Sequence, residues 1–161
     1  MAQRKLSLIA VTVLITTCAV HPVRAAEPPS DLCSLLPAAE VSKALGRTYG
    51  APQKSVAPRP FANTATGTDC NYLAQGSKLW FRAYVDPSPS AATELFARLG
   101  KFYGPQTPIP GLGDEAYSDR DHALHVRKGK VRFYLNLDPM NFTPAVEKQL
   151  KDLASRVAGR L

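Results

Sequence analysis

Hydrophobic and polar positions alternate along this chain with two periods, and the changes of period mark out its elements. Ala38, Val41, Ala44 and Leu45 recur at helical spacing behind Pro37, and Gly46 closes the run, which predicts a helix over 38–45. Residues 47–66 hold Pro52, Pro58 and Pro60 without a clear period and read as a loop with room for a short edge strand. Residues 69–74 and 78–86, around a Gln75-Gly76-Ser77 turn, have the pattern of a β-hairpin. In its second arm Leu79, Phe81, Ala83 and Val85 face one way and Trp80, Arg82 and Tyr84 the other. The Pro87–Ser90 segment supplies an N-cap for a second helix with the stripe Ala92, Leu95, Phe96, Leu99 and Phe102. Residues 123–127 and 131–138 form a second hairpin turning at Lys128-Gly129-Lys130, with Val131, Phe133, Leu135 and Leu137 as its core face. Thr143 caps a last helix with Pro144 at its first position. Its stripe is Val146, Leu150, Leu153 and Val157, and Glu147 is placed to pair with Lys151.

Helix, hairpin, helix, hairpin, helix predicts an α+β domain over 32–161: an antiparallel sheet built from two hairpins, with helices packed on one face. Each half presents a helix before two strands, the outline of a pseudo-repeat, although no residue-level repeat supports it.

The first 25 residues follow a different logic. Arg4 and Lys5 precede a run of apolar and small residues from Leu6 to Val20, followed by Pro22 and Val23-Arg24-Ala25. That is the arrangement of a secretory signal peptide cleaved after Ala25. The run is shorter than the roughly 20 residues that span a bilayer, and no later segment reaches that length, so no transmembrane segment is expected in the mature chain. Ile15-Thr16-Thr17-Cys18 is the competing signal, since Cys18 could carry a lipid anchor; Thr17 departs from the small residue usual at that place. Residues 26–31 read as an extended tail.

Processing changes the composition. The whole chain has a net charge of +7; loss of Arg4, Lys5 and Arg24 lowers it to +4, too small an excess to indicate nucleic acid but suited to an anionic envelope polymer. Cys33 and Cys70 remain, and in an oxidising compartment they are expected to form one disulfide. At 45% hydrophobic and 20% charged, the composition excludes a disordered chain.

Catalytic patterns are weak. His122 and His125 lie among Asp114, Glu115, Asp119 and Asp121, but residues three apart on a strand point to opposite faces, so no metal site is assigned. No Gly-x-Ser-x-Gly pattern occurs, no Cys-x-x-Cys is present, and Gly111-Leu112-Gly113-Asp114 is too short for a dinucleotide fingerprint and reads as a tight turn. No catalytic residue and no cofactor is assigned. The sharper candidate is the sheet face turned away from the core, with Trp80, Arg82, Tyr84, Arg132 and Tyr134, joined by His125 and Arg127. Aromatic rings beside guanidinium groups can hold a sugar or an anionic group by stacking and bidentate hydrogen bonds.

Three segments together resemble a family of exported bacterial domains of unknown function, best known from actinobacterial lipoproteins. They are Asp31-Leu32-Cys33-Ser34-Leu35-Leu36-Pro37 leading to Ala44-Leu45-Gly46, then Cys70-Asn71-Tyr72, and Ile109–Tyr117 ahead of Leu124–Gly129. The resemblance implies an exported α+β domain with a Cys33–Cys70 bridge and lends no activity. The function expected is therefore a non-enzymatic binding or accessory module of the periplasm or envelope, its partner an anionic polymer or another exported protein. The alternatives are a small hydrolase or metal-dependent enzyme using His122 and His125, and an inhibitor or assembly factor for another exported protein.

Overall fold

Alternation over 77–85 and 131–138 gives each segment one apolar face, with Leu79, Phe81 and Ala83 and Val131, Phe133 and Leu135 buried, while Tyr84 and Arg132 are buried on the other face. The computed structural model describes residues 27–139 and 143–161; the expected signal peptide, Cys18 and the expected cleavage point lie outside them. After a 3-10 turn at Leu32–Leu35, the order is α1 (Ala38–Leu45), β1 (Gln53–Ala57), β2 (Gly67–Ala74), β3 (Ser77–Val85), α2 (Pro89–Tyr103), β4 (Thr107–Pro108), β5 (Glu115–Ser118), β6 (Leu124–Lys128), β7 (Val131–Asp138) and α3 (Pro144–Ala158). All seven strands form one antiparallel sheet in the order β1-β2-β3-β7-β6-β5-β4. The fold class is α+β, as the sequence pattern implies.

Both expected hairpins are present, but they account for only four of the strands. The edge strand in the 47–66 loop is real, and β4 and β5 come from the segment after α2, where prolines and a glycine turn hide a short alternation. Gly113 makes that turn possible: its φ is +63°, and a Cβ there would lie 2.5 Å from the Arg127 carbonyl oxygen. The Asp114 N–H donates to the same oxygen at 2.8 Å, which pins the turn to the end of β6.

The main core lies on one face. Leu79, Phe81, Leu124, Val126, Phe133 and Leu135 pack there against Val41 of α1 and against Leu150, Leu153 and Val157 of α3. Cys33 and Cys70 are bonded and buried, tying the 3-10 turn to β2, and the Tyr72 hydroxyl donates to the Leu36 carbonyl beside them. The expected caps are in place: Gly46 is left-handed at the end of α1, and Ser88 and Thr143 accept N–H bonds at the starts of α2 and α3. Lys151 reaches Glu147 at 2.5 Å.

The expectation of helices on one face is not met. α2 crosses the opposite face, where Phe96 meets the Tyr117 ring at 5.0 Å and Tyr103 meets the His125 ring at 4.9 Å. Its buried stripe is Ala92, Phe96 and Leu99; Phe102, placed in that stripe by spacing, is 72% exposed in the last turn. The pseudo-repeat fails for the same reason. Two antiparallel central strands can be exchanged only by a two-fold normal to the sheet, which would keep α1 and α2 on one side.

Candidate functional site

The face under α2 is organised as rows across the strands. One row runs Asp69, Arg82, Tyr134, His125, Tyr117 over β2, β3, β7, β6 and β5. The next runs Gly67, Tyr84, Arg132, Arg127, Glu115 over the same strands. A third holds Asn71, Trp80 and Asn136. The seven residues predicted for this face therefore all share it, six of them in two adjacent rows. Gly67 has a steric reason: a Cβ there would come within 2.6 Å of the Tyr84 ring, which lies across β2.

The arginines do not stand as open cations. Arg82 makes a two-point ion pair with Asp69 through Nε and Nη2, the latter at 2.9 Å. Arg132 is only 3% exposed and pairs in the same way with Asp86, Nη2 to Oδ1 at 3.0 Å. Arg127 donates to Asp114 at 3.0 Å and Glu115 at 2.9 Å, and Lys128 shares Asp114 at 2.9 Å. Arg127 sits opposite Arg132, a like-charge pairing that costs stability unless each cation is drawn to its own carboxylate, as happens here. The guanidinium of Arg132 lies 4.9 Å from the Tyr84 ring and that of Arg82 lies 5.3 Å from the Tyr134 ring. A two-point pair occupies two of the five guanidinium N–H groups, so both side chains keep donors for a further acceptor.

His125 is the centre of an aromatic stack. Its ring lies parallel to Tyr117 at 4.7 Å and to Tyr134 at 5.6 Å. Nε2 is 2.8 Å from Asp119 Oδ2, while Asp119 Oδ1 accepts the Asp121 and Ala123 N–H groups at 3.0 Å each. Burial raises the Asp119 pKa, but the His125 hydrogen bond and charge and the two N–H bonds outweigh it, and the carboxyl sits below its ordinary 3.8. A lowered carboxyl pKa stabilises the fold above its unfolded-state value, and that contribution disappears as pH falls through the folded-state value. Asp119→Asn is expected to be clearly less stable than the native chain at pH 7, with the gap closing below about pH 4; acid unfolding monitored by circular dichroism checks it. Burial also pushes the Tyr134 hydroxyl up to about 12 and the Tyr117 and Tyr84 hydroxyls above their ordinary value, so all three stay protonated donors at neutral pH. Tyr84 donates to the Pro58 carbonyl at 2.8 Å, and the buried Tyr117 hydroxyl has no hydrogen-bond partner among the described residues.

A cavity of about 30 Å³ lies between α2 and these rows, bounded by Arg82, Tyr84, His125, Arg132, Tyr134 and Tyr103 among others. It has room for a water or for one polar group of a larger ligand. Tyr103, in its wall between His125 and solvent, begins an outer aromatic chain: Tyr103 meets Phe102 at 5.5 Å, and Phe102 meets Phe61 edge-on at 6.1 Å. Arg98 covers the Phe61 ring at 3.9 Å. Trp80 stands apart from the cavity, with the Lys78 ammonium 4.4 Å from its ring centre.

Phe61, Phe102, Tyr103, Tyr117 and the partner carboxylates are absent from the sequence-based site. A Phe102-Tyr103 pair at a helix end before a glycine was the one local signal for the outer aromatic chain. His122 adopts φ 61° in the turn before β6, away from the strand position of His125. Among the described residues no three His, Cys, Asp or Glu side chains come together to hold a metal ion.

The fold has a known counterpart. The crystal structure of the extracellular domain of PknH from Mycobacterium tuberculosis superposes with a TM-score of 0.56, covering 83% of this chain and 97% of that one at 11% identity. At that identity the likeness is one of fold alone. No family model matches the sequence, and no curated protein matches it. No helix among the described residues is long and apolar enough to cross a membrane.

Proposed function

We propose that this chain is an exported, non-enzymatic binding module that holds a polar envelope polymer at the open edge of the cavity between α2 and the sheet, where Phe102 and Tyr103 reach solvent. The observation that carries the reading is the convergence of Arg82, Tyr84, His125, Arg132 and Tyr134 on one small cavity whose wall includes Tyr103, from which the Phe102 and Phe61 rings continue outward. Export is supported by the leader-type segment, by the Cys33–Cys70 bond, by the resemblance to exported domains and by the fold shared with an extracellular domain. The ion pairs make the face close to neutral. Recognition then rests on stacking at the outer aromatic chain and on hydrogen bonds from the remaining guanidinium and phenol donors, which suits a hydroxyl-rich polymer with sparse charge.

Arginine-to-alanine variants are poor tests, because each would strand a carboxylate. Phe102 and Tyr103 reach solvent and leave the pairs intact. Phe102→Ala with Tyr103→Ala is expected to weaken retention on insoluble cell-wall polymer about tenfold, from two stacking contacts of roughly 0.5–1.5 kcal/mol each. The melting temperature should fall by several degrees, from the lost contacts with Phe61 and His125, with the variant still folded at the assay temperature, and raising salt from 0.05 to about 0.5 M should change wild-type retention little. Retention equal to wild type in the double variant overturns the reading.

A further inference from the structure

The two edges of the sheet are built differently. β4 is a two-residue edge containing Pro108, with Pro105 and Pro110 close on either side, so it offers few backbone donors. β1 is five residues long with no proline inside it, and its first four residues are exposed. None of its backbone groups bonds to a turn or loop among the described residues. A lysine commonly guards such an edge by its charge. Here Lys54 is held by Asp31 at 2.6 Å, and its neighbour on the same side of the strand, Val56, is 77% exposed. Pro52 and Pro58 stop the strand at both ends.

We propose that β1 pairs antiparallel with β1 of a second copy of this chain, about a two-fold axis at Ser55. The strand is its own complement. Ser55 meets Ser55 and Lys54 meets Val56, whose apolar surface packs on the lysine stem, while Ala57, wholly buried by its own chain, marks the limit of the pairing. No like charges stand directly opposite, and each Lys54 has Asp31 beside it as a counter-charge. The flanking prolines set the same length for both partners. The two sheets become one continuous sheet of fourteen strands. A two-fold normal to the sheet also keeps both α2-bearing faces on one side, so a dimer presents two copies of the proposed binding site to a repeating polymer. The pairing itself does not depend on any ligand. An interface of two five-residue strands is small, so association is weak and concentration-dependent in solution.

Engineered cysteines read the register. Opposed Cα atoms in an antiparallel pair lie about 4.5–5.5 Å apart, within disulfide range, whereas residue 53 would lie roughly 14 Å from its own copy. With the processed chain recovered from the envelope, mild oxidation should convert Ser55→Cys to covalent dimer and leave Gln53→Cys monomeric. Sedimentation equilibrium up to about 1 mM should show a monomer–dimer equilibrium for the native chain, weakened at least tenfold in Val56→Lys, which sets a lysine against Lys54 of the second copy on both sides of the axis while facing only Thr68 in its own chain. A native chain that stays monomeric, equal cross-linking at both positions, or a dimer indifferent to Val56→Lys overturns the proposal. So does a monomer whose β1 is occupied by a different exported protein.

Discussion

Arg132→Ala is expected to lower the unfolding free energy by about 3–5 kcal/mol, the largest effect of any single change on the α2 face. Asp86 lies at the end of β3 and Arg132 on β7, and both side chains are almost wholly buried. Together they are electrically balanced, and the guanidinium also covers the Tyr84 ring. Alanine would leave the Asp86 carboxylate buried with no cation, which costs far more than the pair itself contributes. Replacing both residues by leucine should therefore recover most of the loss, because the desolvation cost goes with the charges. Urea unfolding gives the test: a lower midpoint with an unchanged slope for Arg132→Ala, and a midpoint near native for the double variant. A loss below about 1 kcal/mol for Arg132→Ala would mean that water reaches the pair, against the burial described.

The second large effect belongs to the disulfide. Cys33 and Cys70 are separated by 37 positions, so the bond closes a loop whose removal from the unfolded ensemble is worth about 3–4 kcal/mol. It also fixes the 3-10 turn where Tyr72 reaches the Leu36 carbonyl, at the top of the main core. Cys33→Ala with Cys70→Ala is expected to lower the melting temperature by about 10 °C. Thermal scans of the native chain with and without reductant should reproduce the same shift. A melting point indifferent to both treatments would show that the bridge adds nothing to the packing around it.

What could be read from the sequence divides along physical lines. α1, both hairpins and α3 were legible because their caps, turns and periods agree locally. The Ala92–Phe96–Leu99 stripe says that α2 buries a side, but not which face of the sheet receives it. Alternation places Trp80, Arg82 and Tyr84 on the face turned away from the core, but does not show that ion pairing and stacking make that face a second packing surface under α2. Register was the other hidden variable. A three-residue turn at 75–77 would set Asp69 against Ala83; the actual turn is Gln75-Gly76, with Ala74 paired to Ser77, and Asp69 meets Arg82. One residue of slip changes every cross-strand neighbour, so the carboxylates that neutralise the face could not be assigned. The outer aromatic chain was missed for a different reason: Phe102 fits the buried spacing of α2, but in the last turn its neighbour Tyr103 takes the contact with His125 and Phe102 turns outward to Phe61.

The central claim is that ligand meets this chain at the open edge of the cavity between α2 and the sheet. Soluble fragments of cell-wall polymer, titrated into the isotope-labelled processed chain, test it by nuclear magnetic resonance. The ring signals of Tyr103, Tyr134 and His125 are expected to move, while those of Tyr72 in the opposite core stay still. No movement at saturating fragment, or movement confined to the α1–α3 side, would contradict the account.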